Sequence, residues 1–221
     1  MAKAGSPSKL ARGGNSRSTE TRQLLVEAAI TTLKVDGFAG ASARAIAERA
    51  GSNQGLIFYH FGSVANLLLA ALDAVSAERL ARYGTVVDRA GSLPELVEAA
   101  TAVFREDLDA GNVTVLAEMI AGASTTPGLG TEVAARIGSW TSFTERAIAE
   151  TLRDSPLGGF LPASDVAYGI VALYLGLEML SHLEGDRTPA MALFAHAAQI
   201  AGLLSALSGV PPTGQPTKDA K

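Results

Sequence analysis

Apolar residues recur along this chain at intervals of three and four rather than in alternation, which predicts α-helices throughout. From Ser18 to about Asp36, Leu25, Ala28, Ala29, Thr32 and Leu33 fall on one helical face, with Ser18 as the N-cap and Gly37 as the C-terminal stop. Two short helices follow. One runs from about Ala43 to Ala50, capped by Ser42 and closed by Gly51. The other runs from about Asn53 to His60, capped by Ser52 and ended by Gly62 and Ser63. Longer helices are predicted for Val64 to about Asp88, Leu93 to Asp109, Val113 to about Ala123, Thr131 to Arg153, Asp165 to Glu184 and Pro189 to about Leu207. Gly or Pro marks each break between them, and no alternating β-branched or aromatic run bounded by hairpin turns argues for a sheet.

The expected organisation is therefore all-α. Residues 1–17 form a basic flexible tail, 18–63 a three-helix domain, 64–208 a larger helical bundle, and 209–221 a disordered, proline-bearing tail.

The two short helices carry the clearest chemistry. A helix, a tight glycine turn and a second short helix ending in an aromatic cluster are what a helix-turn-helix requires. Arg44 to Ala50 supplies the first helix, with small Ala47 where the two must approach; Gly51 turns the chain; Asn53 to His60 is the recognition helix, narrow enough for a major groove about 12 Å wide. Glu27-Ala28-Ala29, Gly37-Phe38, Ile46-Ala47, Ala50-Gly51, Tyr59-His60-Phe61-Gly62-Ser63 and Leu67-Leu68 together resemble the signature of the tetracycline-repressor family over roughly residues 20–70.

That resemblance implies a dimeric regulator, by default a repressor, whose partner is double-stranded DNA with a palindromic operator. It also implies a C-terminal helical domain that dimerises and holds a small apolar ligand. Three positions depart from the family pattern: Val64 stands where a lysine is usual, Ala41 where a threonine is, and Phe58 where a tyrosine is most frequent. Three backbone-phosphate donors are thereby missing. Ser42, Ser52, Ser63, Tyr59 and His60 are the candidate replacements, with Arg44 as a further phosphate contact and the basic tail as reinforcement. The recognition helix has no Lys or Arg for guanine. Asn53 and Gln54 are the candidates for adenine and Leu56 for a thymine methyl, the alternative for both amides being an ordinary solvated helix start. Ile57 and Phe61 are expected in the core, Lys34 and Arg49 as solvated surface charges.

Charge supports this division. The net charge is −4, yet residues 1–62 hold eight Lys or Arg against four Asp or Glu, so one end of an acidic protein is basic. With 48% apolar residues and 18% charged, the remainder reads as globular with extensive buried surface. There is no cysteine, which excludes disulfides and thiolate chemistry, and residues 1–17 lack the apolar stretch of a signal peptide, so a cytoplasmic location is expected. The most apolar run, Val166 to Leu177, is interrupted by Glu178 and falls short of the ~20 residues of a spanning helix, so no membrane segment is expected.

In the larger domain, Asp165 to Glu184 is apolar nearly all round, with Gly169 and Gly176 on one face, and Phe194, Ala197, Ile200, Ala201 and Leu204 stripe the last helix. Two such helices from each of two subunits would make a four-helix homodimer interface. Phe104, Met119, Trp140, Phe143 and Tyr174 are the candidate ligand-pocket residues, with Glu178 and His182 as polar anchors; for each aromatic or Met the alternative is plain core packing. No cofactor, metal or catalytic residue is expected: there is no nucleophile elbow, P-loop or dinucleotide fingerprint, and His60, His182 and His196 are the only histidines.

Overall fold

The computed structural model of the protein describes residues 10–151, 153 and 162–207; the tail expected from Gly209 onward lies outside them. Among the described residues the regular elements are nine α-helices: α1 (Leu10–Gly40), α2 (Ala43–Arg49), α3 (Gln54–Phe61), α4 (Val64–Val87), α5 (Leu93–Ala110), α6 (Asn112–Ala123), α7 (Leu129–Thr151), α8 (Ala163–Glu184) and α9 (Thr188–Leu207).

Local chemistry sets most of the boundaries. The hydroxyl of Ser42 accepts from Ala45 N, that of Ser63 from Asn66 N and that of Ser92 from Glu95 N, each satisfying a backbone donor that a helix start leaves orphaned. Two starts differ from the sequence expectation. Ser18 is interior to α1, which continues back to Leu10 because no proline after Pro7 stops it, so part of the expected tail is helical. The cap of α3 is Asn53, whose Oδ1 accepts from Gly55 N at 2.7 Å; Ser52 lies one residue outside it.

The expected face of α1 is buried in full: Leu25, Ala28, Ala29, Thr32 and Leu33 are 0–6% exposed. They meet Ile46 and Ala47 of α2, Ile57 of α3 and Leu67, Leu68 and Ala71 of α4. The same apolar cluster runs on without a break into Val115 and Met119 of α6, so the small N-terminal domain and the larger one share a core. Polar links lock this junction. Gly37 bends α1 with a positive φ of 69°, letting Phe38 N donate to the Glu118 carboxylate at 2.7 Å; a side chain at Gly37 would press on that carboxylate. Lys34, partly exposed, and Arg49, exposed, lie at the surface as expected, and both are also tethered. Lys34 Nζ donates to Ala110 O at 2.9 Å, and Arg49 donates to Thr32 Oγ1 at 3.1 Å and pairs with Asp36 at 2.7 Å.

In the larger domain α7 packs along α8 and α5 along α9, enclosing a cavity against α4. The outer faces of α8 and α9 are bare. Tyr168, Leu180 and Leu183 of α8 and Leu203 of α9, none of which lines the cavity, are 54–75% exposed. Both helices, at 22 and 20 residues, are long and apolar enough by composition to cross a membrane, contrary to the expectation drawn from Glu178. That residue does not interrupt the apolar surface because it lies on the inner face of α8, fully buried.

Candidate nucleic-acid interface and ligand cavity

α3 has two unlike faces. Ile57 is fully buried and Phe61 is half-buried, as expected, while Gln54, Leu56, Phe58 and Tyr59 are exposed on the other side, Tyr59 by 78%. The half-buried His60 ring meets Tyr59 edge to face at 4.9 Å, which positions both aromatics at the C-terminal end of α3. Exposed Ser42 and Arg44 at the start of α2, and half-buried Ser63 at the start of α4, belong to the same helix-turn-helix. The hydroxyls of Ser42 and Ser63 and the amide oxygen of Asn53 already accept capping bonds. Asn53 therefore keeps its amide nitrogen and one Oδ1 lone pair to offer beside its cap, while Gln54 and Leu56 carry no capping commitment.

Of the family departures, Ala41 is 6% exposed and packs in the core, so its place is taken by packing rather than by a donor. Arg22 was not among the sequence candidates. It sits with its guanidinium 5.0 Å from the Phe61 ring centroid, an exposed cation of α1 held beside the end of α3. Only the three-dimensional bundle brings it there.

The cavity in the larger domain measures about 450 Å³ and its wall is overwhelmingly apolar. Trp140, Phe143 and Tyr174 line it as the sequence suggested. The other candidates do not. Phe104 and Met119 are fully buried in packing, Phe104 against Tyr174 and Phe194 and Met119 in the shared core, and His182 is exposed near the end of α8. Glu178 is buried behind the wall rather than in it.

The residues missed are those that give the wall its polarity. Arg79 of α4 lines the cavity, 8% exposed, with its guanidinium carbon 4.7 Å above the Trp140 ring. Its Nη2 is hydrogen-bonded to fully buried Asp107 of α5 and stands 3.6 Å from Glu178. Asp107 also accepts from Tyr83 OH at 3.1 Å, Tyr174 OH at 2.8 Å and Asn112 Nδ2 at 3.3 Å. A signal existed in the sequence. Leu72, Val75, Arg79 and Tyr83 follow helical spacing, as do Leu96, Ala100, Val103 and Asp107, so each charge occupies a position on an apolar stripe.

Burial sets the protonation of this cluster. It pushes the Glu178 carboxyl up to about 8, against the lowering by Arg79 and with the help of the Asp107 charge. Burial, joined by the nearby carboxylates, likewise raises the hydroxyls of Tyr174 and Tyr83, so both stay protonated donors. Glu178 then holds its proton in the folded state while the unfolded carboxyl, near 4.5, has released it. Because its folded value is raised, the contribution of Glu178 to stability falls as pH rises between those two values. Glu178→Gln, which cannot ionise, is expected to flatten that decline. Urea unfolding of both proteins at about pH 5 and about pH 9 measures it, and an equal loss in the two would contradict the assignment.

Comparison with known proteins identifies the N-terminal part. Residues 25–71 match the family described as bacterial regulatory proteins, tetR family. The chain is 36% identical over 75 residues to the HTH-type transcriptional repressor AcnR of Corynebacterium glutamicum, covering 34% of this chain and 38% of AcnR. It is 32% identical over 117 residues to an uncharacterized HTH-type transcriptional regulator of Mycobacterium tuberculosis, covering 52% of this chain and 60% of that protein. These matches thus span less than two thirds of either relative. A solved structure of a TetR-family member from Streptomyces coelicolor superimposes with a TM-score of 0.62 at 25% identity, covering 84% of this chain and 98% of that one. These relatives are described as regulators, not enzymes.

Proposed function

Because this chain belongs to the tetR family of bacterial regulatory proteins, with the family's N-terminal domain over residues 25–71, we propose that it is a cytoplasmic transcriptional repressor that binds a palindromic operator as a homodimer and lets go when a small apolar ligand enters its C-terminal cavity.

The observation that carries the DNA-binding part is the split of α3: Ile57 anchors it while Gln54, Leu56 and Tyr59 face outward at the basic end of the protein. Gln54 and Leu56 read base edges. Ser42, Arg44, Tyr59, His60, Ser63 and, beyond the sequence candidates, Arg22 hold the phosphates. Asn53 and Ser52 contribute at the start of α3, Asn53 mainly as its cap. The bare faces of α8 and α9 support the homodimer, in which two copies present their α3 helices about 34–36 Å apart on one side of the duplex.

The cavity supports ligand response, since about 450 Å³ lies within the ~300–1,000 Å³ usual for small-molecule sites. α4 connects the two functions: it starts one residue past the Ser63 cap beneath α3 and carries Arg79 and Tyr83 in the cavity wall. A second link runs from Asp107 through Asn112, which also lines the cavity, to Lys34 of α1 at 3.5 Å. A ligand that displaces these helices biases the spacing of the two α3 helices, and a coupling of ~1–3 kcal/mol weakens operator binding about 5- to 150-fold.

Salt-dependent binding and footprinting on the protein's own promoter region test this reading. Protection of a palindrome is expected, lost in Tyr59→Ala/His60→Ala and weakened on deletion of residues 1–17. Protection unchanged by the double substitution would place the interface elsewhere.

A further inference from the structure

The outward side of α3 is apolar where a charged one would be ordinary. From Gln54 to Phe61 the helix carries no Lys, Arg, Asp or Glu. Tyr59, His60 and Phe61 are tied together by ring contacts, and Phe61 also to Arg22. Phe58 stands outside that run and is 51% exposed, and Leu56 is 37% exposed. At 100° per residue these two flank the outward face, with Gly55 between them. A side chain at Gly55 would meet only Asn53 Oδ1, at 3.2 Å, so the backbone between the two apolar residues is open to close approach.

Resting on the reading of α3 as the recognition helix, we infer that Phe58 is a base reader beside Leu56, that each receives a thymine C5-methyl, and that A·T pairs therefore lie beneath α3. The major groove displays hydrogen-bonding groups on every base pair but only one apolar group, the thymine methyl. A helix whose two projecting side chains are hydrocarbon has that group alone to match. The hydroxyl missing at position 58 then has a consequence beyond a lost phosphate donor: it leaves a ring whose whole edge is apolar. Gln54 lies one turn before Phe58 on the same flank, ~6 Å along the axis, so the adenine that Gln54 pairs with and the thymine under Phe58 fall within about two base-pair steps. Leu56, on the other flank, takes a separate thymine. Any guanine contact falls to a residue outside α3.

The test begins with the full-length protein selecting duplexes from a library with a randomised core, which supplies an operator without presuming the promoter. In a selected duplex each thymine is replaced singly by uracil, which deletes the C5-methyl and leaves the pairing edge intact. Two positions in each half-site are expected to show weaker binding, by roughly three- to tenfold each. Phe58→Ala should erase the uracil penalty at one of them and Leu56→Ala at the other, a coupling that a merely structural role for either side chain would not produce. Both residues are exposed, so each variant should keep the helical circular dichroism of the parent. A selected duplex that binds equally well with every thymine replaced, or uracil penalties that persist in both variants, would overturn the inference and leave operator recognition standing. Failure to enrich any sequence would instead overturn the recognition reading, and the inference with it.

Discussion

Arg79→Ala is expected to destabilise the protein by about 3–5 kcal/mol, measured as a lowered urea midpoint at unchanged slope. Stability for a protein of this kind is typically ~5–15 kcal/mol, so this one substitution removes a large fraction of it. The reason is not the attraction that is lost. Arg79 holds the counter-charge for fully buried Asp107, and removing it leaves a carboxylate in an apolar interior, supported by two hydroxyls and one amide but by no cation. The guanidinium also covers the Trp140 ring, so truncation opens a void there as well. Two measurements separate charge from volume. Arg79→Met keeps most of the volume and should still cost much of the total, whereas Arg79→Met combined with Asp107→Leu removes both charges and should recover most of it. A loss under about 1 kcal/mol for Arg79→Ala would mean that water reaches Asp107 and that the cluster is not dry.

The same residues mark the boundary of what the sequence discloses. Amphipathic periodicity located the helices and the buried face of α1, because a 3.6-residue repeat states directly which side turns inward. Caps were legible only in part: Ser42 behaves as expected, Asn53 displaces Ser52 because both are capping types in adjacent positions, and Ser18 is overridden by a helix that continues back to Leu10. The ligand candidates fared worse. An apolar residue on an inward face looks the same whether it touches another helix or an empty volume. Phe104 and Met119 were therefore indistinguishable from Trp140 and Phe143 until the helices were assembled. Arg79 and Asp107 could have been found as charges on apolar stripes, but their pairing across α4 and α5 could not. The partners of Lys34 and Arg49 escaped for a related reason: a lone basic residue on a helix surface carries no sign of the acceptor that the fold brings to it.

For the proposed homodimer, Leu180→Glu combined with Leu183→Glu is expected to give a folded monomer and to weaken operator binding by roughly 10²- to 10⁴-fold. Both leucines stand out from α8, 54% and 75% exposed, and neither lines the cavity. With Gly169 and Gly176 they form a stripe at helical spacing, and neither glycine has any atom near where its side chain would be. The stripe is thus apolar and flat, and lets a second helix approach closely. Two carboxylates there cost little in an isolated protomer, where they are solvated, but in a dimer they would be desolvated opposite their symmetry mates. The large effect on DNA follows from valency, because a monomer grips one half-site and loses the effective concentration that the second head supplies. Sedimentation gives the assembly state, helical circular dichroism the fold, and footprinting the affinity. The length and apolarity of α8 and α9 also suit a bilayer, and the same variant discriminates: with a membrane as the partner, the parent protein would co-sediment with lipid vesicles and the substitutions would release it without altering its self-association. The burial of Glu178 against Arg79 on the inner face of α8 favours the dimer, since it commits that face to the protein's own core and leaves a one-sided apolar stripe, the shape of a helix that packs on another copy of itself.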